Sequence, residues 1–170
     1  KVSTENDEKT SSAENGTYKD ILAIGDSIIL DIAPSLNEKY NNITIDGKIG
    51  RQMSEAATLA AKYTTFNDSD KAVIIELGTN GYFTNKQIDK LLDSFSKSHI
   101  FLINIRVPRS WESKVNKILK EKAEERENVT LIDWYSTASK HPEYFDQDGV
   151  HLNSKGVESL ESLIIENLKI

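Results

Sequence analysis

Gly25-Asp26-Ser27 and Asp148-Gly149-Val150-His151 are the two short stretches of this chain whose residue types could do covalent chemistry. A serine hydroxyl is a weak nucleophile until a base removes its proton, and an imidazole base needs a partner that fixes its tautomer. Only three histidines are available as that base. His99 opens an apolar run and reads as structural; His141 precedes Pro142 in a loop and reads as a surface residue. His151 lies three residues after Asp148, so one turn can bring the carboxylate to Nδ1–H and leave Nε2 for Ser27. Asp133 is a rival orienter, but it is remote from His151 in sequence and equally suits a turn or a helix cap.

The same chemistry needs donors for the oxyanion of a tetrahedral intermediate. The candidates are the Ser27 N–H, the Gly50 N–H in "DGKIGRQ" (46–52) and the side-chain amide of Asn80 in "GTNGYF" (78–83). Gly50 is preferred to Gly47 because it stands at the entrance to the next helix. Tyr82, Phe83, Val107 and Trp111 are candidate wall residues for a substrate, and each also suits ordinary packing. Taken singly, each motif has a plain structural explanation as a helix start or a turn. Their occurrence together, each just after an apolar run, favours catalysis.

Those apolar runs are the elements that must position the site. β-Branched stretches occur at 20–24, 43–45, 72–77, 99–105 and 129–132, and near-continuous apolar strands are what a sheet covered on both faces requires. Between them, Ile88, Leu91, Leu92 and Phe95 share a helical face, as do Val115, Ile118, Leu119 and Ala123. Val157, Leu160, Leu163, Ile164 and Leu168 do the same in a final helix. The alternation predicts a doubly wound, three-layer α/β domain over 18–170, with function beyond the carboxyl ends of the strands. Residues 1–17 contain little that is apolar and read as a disordered tail or linker; with Lys1 in place of a starting methionine, the chain reads as part of something longer.

Several functions are disfavoured. A net charge of −6 without a basic tract argues against nucleic-acid binding. The apolar runs are too short to span a bilayer. Absent cysteine removes disulfides, thiolate metal sites and a cysteine nucleophile, and no histidine pair has metal-ligand spacing. Ile29 stands where the α/β-hydrolase elbow needs glycine, no glycine-rich phosphate loop follows a strand, and "DQDG" does not continue as a calcium loop. The chemistry proposed needs no cofactor.

Gly25-Asp26-Ser27, the glycine of the second loop, Gly78-Thr79-Asn80 and Asp148-x-x-His151 resemble the four blocks of the SGNH (GDSL-type) hydrolases. The resemblance implies a flavodoxin-like, five-stranded parallel sheet in order 2-1-3-4-5. It also implies Ser27 as nucleophile, His151 as base, Asp148 as orienter, and Ser27, Gly50 and Asn80 as oxyanion donors. The longer stretches "DGKIGRQ", "ELGTNGYFT", "LLDSFSK", "INIRVPR" and "HPEYFDQDGVHL" are similar to the extracellular C-terminal domain of Gram-positive peptidoglycan O-acetyltransferases. That resemblance implies transfer of acetyl, through an acetyl-serine intermediate, to the C6 hydroxyl of N-acetylmuramic acid, which confers lysozyme resistance. The acetyl would come from an upstream membrane acyltransferase region of the same polypeptide, and residues 1–17 would be the tether at the cell surface. Gly81 stands where many SGNH hydrolases carry aspartate, a form shared with the transferases. The alternatives are a carbohydrate or peptidoglycan O-acetylesterase of the same fold, and a non-catalytic wall-binding module.

Overall fold

The structure, a computed structural model, describes residues 18–169. The expected tail over 1–17 therefore lies outside the described residues. Five strands form one parallel sheet: β1 (Asp20–Gly25), β2 (Ile43–Gly47), β3 (Lys71–Glu76), β4 (His99–Ile103) and β5 (Val129–Ile132), in the order β2-β1-β3-β4-β5. Register is fixed along apolar rows, with Ala23 of β1 between Ile45 and Ile74, and Leu102 of β4 between Ile75 and Leu131.

Alternate residues of each strand face two separate cores. Leu22, Ile24, Val73, Ile75, Ile100 and Leu102 pack on one side against α2 (Met53–Leu59), α3 (Asn85–Asp93) and α4 (Glu112–Glu125). Ile21, Ala23, Ala72, Ile74, Phe101 and Ile103 pack on the other against α1 (Ser27–Lys39), the short α5 (Trp134–Ala138) and α6 (Ser154–Leu168). Both faces of the sheet are thus sealed, which explains the unbroken apolar runs. The result is the three-layer α/β/α architecture that the alternation predicts.

Local signals set the helix ends. Thr84 and Gln87 form a reciprocal capping box at the start of α3, and Asn153 Oδ1 accepts from Lys155 N and Gly156 N at the start of α6. The fourth strand is shorter than its apolar run. Ile105 leaves the ladder because Asn116 of α4 satisfies its backbone on both sides, accepting from Ile105 N at 2.9 Å and donating to Ile105 O at 2.9 Å. The 3-10 turns at Ala60–Phe66 and Pro142–Tyr144, and α5, are too short to show a helical period in the sequence.

Candidate active site

Strand order reverses between β1 and β3, so the connections leaving their carboxyl ends run to opposite faces and open a crevice between them. Ser27 enters this crevice from β1 and Asn80 from β3. Asp26, not Ser27, caps α1: its Oδ1 accepts from Ile28 N at 2.9 Å. The Ser27 hydroxyl is therefore released from capping, and its Oγ lies 3.0 Å from His151 Nε2.

His151 is delivered by a tight excursion between the Pro142–Tyr144 turn and α6. Phe145 pairs with Leu152 in an antiparallel bridge, Asp146 N donates to His151 O at 2.8 Å, and Asn153 N donates to Tyr144 O at 3.0 Å. Leu152 N donates to Asp31 Oδ2 at 3.1 Å, which ties this excursion to the helix that carries Ser27. Asp148 Oδ2 lies 2.5 Å from His151 Nδ1, while its Oδ1 accepts from Val150 N at 2.9 Å and His151 N at 3.0 Å.

The electrostatics follow from those bonds. The hydrogen bond from His151, with the two backbone N–H groups behind it, lowers the Asp148 carboxyl to about 2. The same hydrogen bond, with the charge of Asp148, raises the His151 imidazole above its usual value against the opposing effect of burial. The His151 and Asp148 side chains keep 41% and 45% of their surface exposed, so water reaches this end of the relay. An arrangement in which a carboxylate fixes Nδ1–H and Nε2 faces a serine hydroxyl can draw the proton from that hydroxyl during attack on an ester carbonyl.

The third-block loop sits across the crevice. Asn80 Nδ2 donates to Asp26 Oδ2 at 3.2 Å, Gln52 Nε2 donates to Asn80 O at 3.0 Å, and Trp111 Nε1 donates to Thr79 O at 3.2 Å. Gly50 has φ +77°, and a side chain there would meet open space, so its backbone is uncovered. Among the described residues, no group of three or more His, Cys, Asp or Glu is placed to hold a metal ion, and no helix is long and apolar enough to cross a membrane.

With this geometry in view, relatives are informative. The chain is 60% identical to YrhL of Bacillus subtilis over 153 residues, covering 90% of the chain and 24% of YrhL. It is 46% identical to the peptidoglycan O-acetyltransferase OatA of Listeria monocytogenes over 160 residues, covering 94% of the chain and 26% of OatA. The chain is a homologue of the OatA and YrhL proteins. It spans about a quarter of the length of these curated relatives. Its fold is the SGNH hydrolase fold: the C-terminal catalytic domain of Streptococcus pneumoniae OatA, solved as a methylsulfonyl adduct, superposes with a TM-score of 0.70 at 21% identity, covering 90% of this chain and 92% of that one. No family model matches the chain.

In this OatA homologue the other histidines and Asp133 stand apart from the relay. His99 sits between Tyr18 Oη and Thr130 Oγ1 at the opposite end of the sheet, and burial lowers its pKa. His141 is exposed beside Glu143. Asp133 caps α5, accepting from Ser136 N and from Asn104 Nδ2. The four wall candidates do not form one surface. Tyr82 is exposed, but Phe83 and Val107 are buried in the core, and the Trp111 indole is engaged by Thr79. Among the described residues the exposed large apolar side chains are Leu30, Ile49, Tyr82 and Tyr135, and each follows closely after the carboxyl end of a strand. A cleft of about 290 Å³ also opens beside the Asp148 turn, lined by Arg106, Pro108, Ser139, Pro142 and Gln147 among others.

Four supporting residues escaped the sequence reading. Asp31 and Gln52 are described above. Arg51 is buried and donates to Gly25 O, Asp46 O and Asp46 Oδ1, lashing the Gly50 loop to the end of β1. Glu76 is 2% exposed at the end of β3, and its Oε1 accepts from Ile29 N at 2.8 Å and Asp26 N at 3.2 Å. Its signal was present: a single ionisable residue inside the otherwise apolar "AVIIEL".

Proposed function

We propose that residues 18–170 are a serine-dependent O-acetyltransferase domain that moves an acetyl group onto the C6 hydroxyl of N-acetylmuramic acid in peptidoglycan. The observation that carries this reading is the relay in which Ser27 Oγ lies 3.0 Å from His151 Nε2 and Asp148 Oδ2 holds Nδ1. The 46% identity to a peptidoglycan O-acetyltransferase across 94% of the chain supports that substrate class. Ser27 Oγ attacks the carbonyl carbon of an acetyl ester while His151 Nε2 takes its proton. The bond to the donor oxygen breaks as His151 returns that proton to the leaving group, and acetyl-Ser27 remains. The muramyl hydroxyl then loses its proton to His151 and attacks the acetyl carbon, and Ser27 leaves with the proton restored. In both steps the oxyanion is held by the Ser27 N–H, the Gly50 N–H and the Asn80 amide. Tyr82 and the cleft beside the Asp148 turn are the surfaces offered to the acceptor sugar.

In the whole protein this domain works on the outer face of a Gram-positive membrane. An upstream membrane acyltransferase region supplies acetyl, and residues 1–17 act as the tether. Acetylated glycan strands then resist lysozyme. A second reading, a peptidoglycan O-acetylesterase, is favoured by one observation: the exposed His151–Asp148 end lets water stand in for the sugar hydroxyl. Incubation with an activated acetyl ester and a muropeptide oligosaccharide, followed by mass spectrometry, separates the two. Acetyl on the sugar with the wild type and none with Ser27→Ala is the expected result. Free acetate as the sole product would replace transferase by esterase.

A further inference from the structure

Directly behind Ser27 lie two carboxyl groups, Asp26 at 0% and Glu76 at 2% exposure, with Asp26 N donating to Glu76 Oε1 at 3.2 Å and each carboxyl shifting the other's titration. Two adjacent buried carboxyl groups both ionise only at a large cost unless a cation joins them. Buried Arg51 is committed to Asp46 and to backbone carbonyls, and Arg106, which lines the same small cavity as Glu76, is paired with Glu112. A shared proton must therefore hold the pair together.

The donors around each group decide where that proton sits. Burial raises the Asp26 carboxyl, but its oxygens accept from Ile28 N at Oδ1 and from Asn80 Nδ2 at Oδ2, and Glu76, Thr79 and the charge of His151 also favour its anion. Glu76 receives two backbone N–H bonds, both at Oε1. Burial and the Asp26 charge hold the Glu76 carboxyl well above the usual carboxylate range. Asp26 thus serves several neighbours at once, Ile28, Asn80, Thr79 and Glu76. The amide of Asn80 has two N–H bonds, and tying one to Asp26 leaves the other for an oxyanion.

We propose that Glu76 is a positioning residue for the oxyanion site: as a neutral acid it donates to the Asp26 carboxylate, which holds the Asn80 amide with its second N–H free for the oxyanion. The catalytic half of this inference rests on the serine chemistry proposed above; the protonation half does not. It extends the site one layer behind the reacting atoms, from the end of β3 through the cap of α1 to the third-block loop.

The test uses the chain itself, with an activated acetyl ester as substrate and infrared spectroscopy of protein carrying isotope-labelled glutamate. The expected infrared result is a protonated-carboxyl band at neutral pH that vanishes in Glu76→Gln. Glu76→Leu, which cannot donate, should lower kcat about 10- to 100-fold with KM changed less than about twofold. Glu76→Gln, which keeps a donor toward Asp26, should recover most of that loss and leave the pH midpoint of kcat/KM in place. In an Asn80→Ala background, Glu76→Leu should cost less than about threefold more, because the amide it positions is already gone. Additive losses would mean a general structural role and overturn the proposal, as would a Glu76→Gln midpoint shifted downward by removal of a negative charge. If Glu76→Leu does not fold, the Gln variant and the infrared band still decide. Turnover without the band overturns this inference alone. A wild-type chain without turnover overturns the serine chemistry and the positioning role together.

Discussion

Replacing Asp148 by asparagine tests the relay at the point where geometry makes the sharpest demand. Asp148 accepts three hydrogen bonds, two from backbone N–H groups at Oδ1 and one from His151 Nδ1 at Oδ2. An asparagine amide can be placed in two ways. With its oxygen on the Val150 and His151 N–H groups, its NH2 faces Nδ1, which must then become an acceptor. Neutral His151 then carries its proton on Nε2 and donates to Ser27 Oγ instead of accepting from it. With the amide flipped, Nδ1 is satisfied but two backbone N–H groups face an NH2 group, and the turn that delivers His151 opens. Either placement removes the base. The same exchange in a comparable relay costs about ten-thousandfold in kcat, or about 5.4 kcal/mol at 1.36 kcal/mol per factor of ten. Because the Asp148 side chain is 45% exposed, solvent screens its charge, and the loss expected here is about 10²- to 10⁴-fold, dominated by the tautomer. The assay is kcat and KM on an activated acetyl ester, with nitrogen NMR of His151 to read the protonated ring nitrogen. An Asp148→Asn variant within tenfold of wild type, with the proton still on Nδ1, would refute the reasoning.

Five further outcomes are expected. The His151 imidazole is raised above 6.5 by Asp148 while Asp148 itself titrates at about 2, so kcat/KM should climb with pH through a single midpoint above 6.5 and stay level beyond it; a profile already flat at pH 6 would exclude His151 as the base. Asn80→Ala should lower kcat about 10²- to 10³-fold with little change in KM, measured on the same ester. Gly78 has φ +118° and a Cβ there would lie 2.5 Å from Val115 Cγ1, so Gly78→Ala should lose about 2–3 kcal/mol in a denaturant titration. Gly50→Ala, with φ +77° and open space, should lose about 1–2 kcal/mol but show its larger effect in turnover. Tyr82→Ala should raise KM for the muropeptide acceptor and leave KM for the small ester unchanged, since Tyr82 is the exposed member of the wall candidates.

What the sequence could and could not disclose divides along physical lines. The sheet was legible because both faces of its central strands are buried: these had to be apolar almost throughout, as in Ile21–Ile24, where all four residues have no exposure. The Asp148–His151 contact was legible because the two residues are three apart and one turn sets it. The wall was not legible. An apolar residue in a loop looks the same whether it faces a ligand or fills the core, and Phe83 and Val107 do the latter. Nor was the scaffold behind Ser27, because its contacts join residues distant in sequence: Glu76 to Asp26 and Ile29, Arg51 to Gly25, Asp31 to Leu152. Yet burying a carboxyl or guanidinium group carries a large desolvation cost, and a strand of apolar residues has no reason to include one unless its hydrogen bonds are used. A polar residue that violates an otherwise uniform burial pattern is therefore itself a positional signal. In this chain Glu76 is that residue, and it lies against the backbone of the turn that carries the serine.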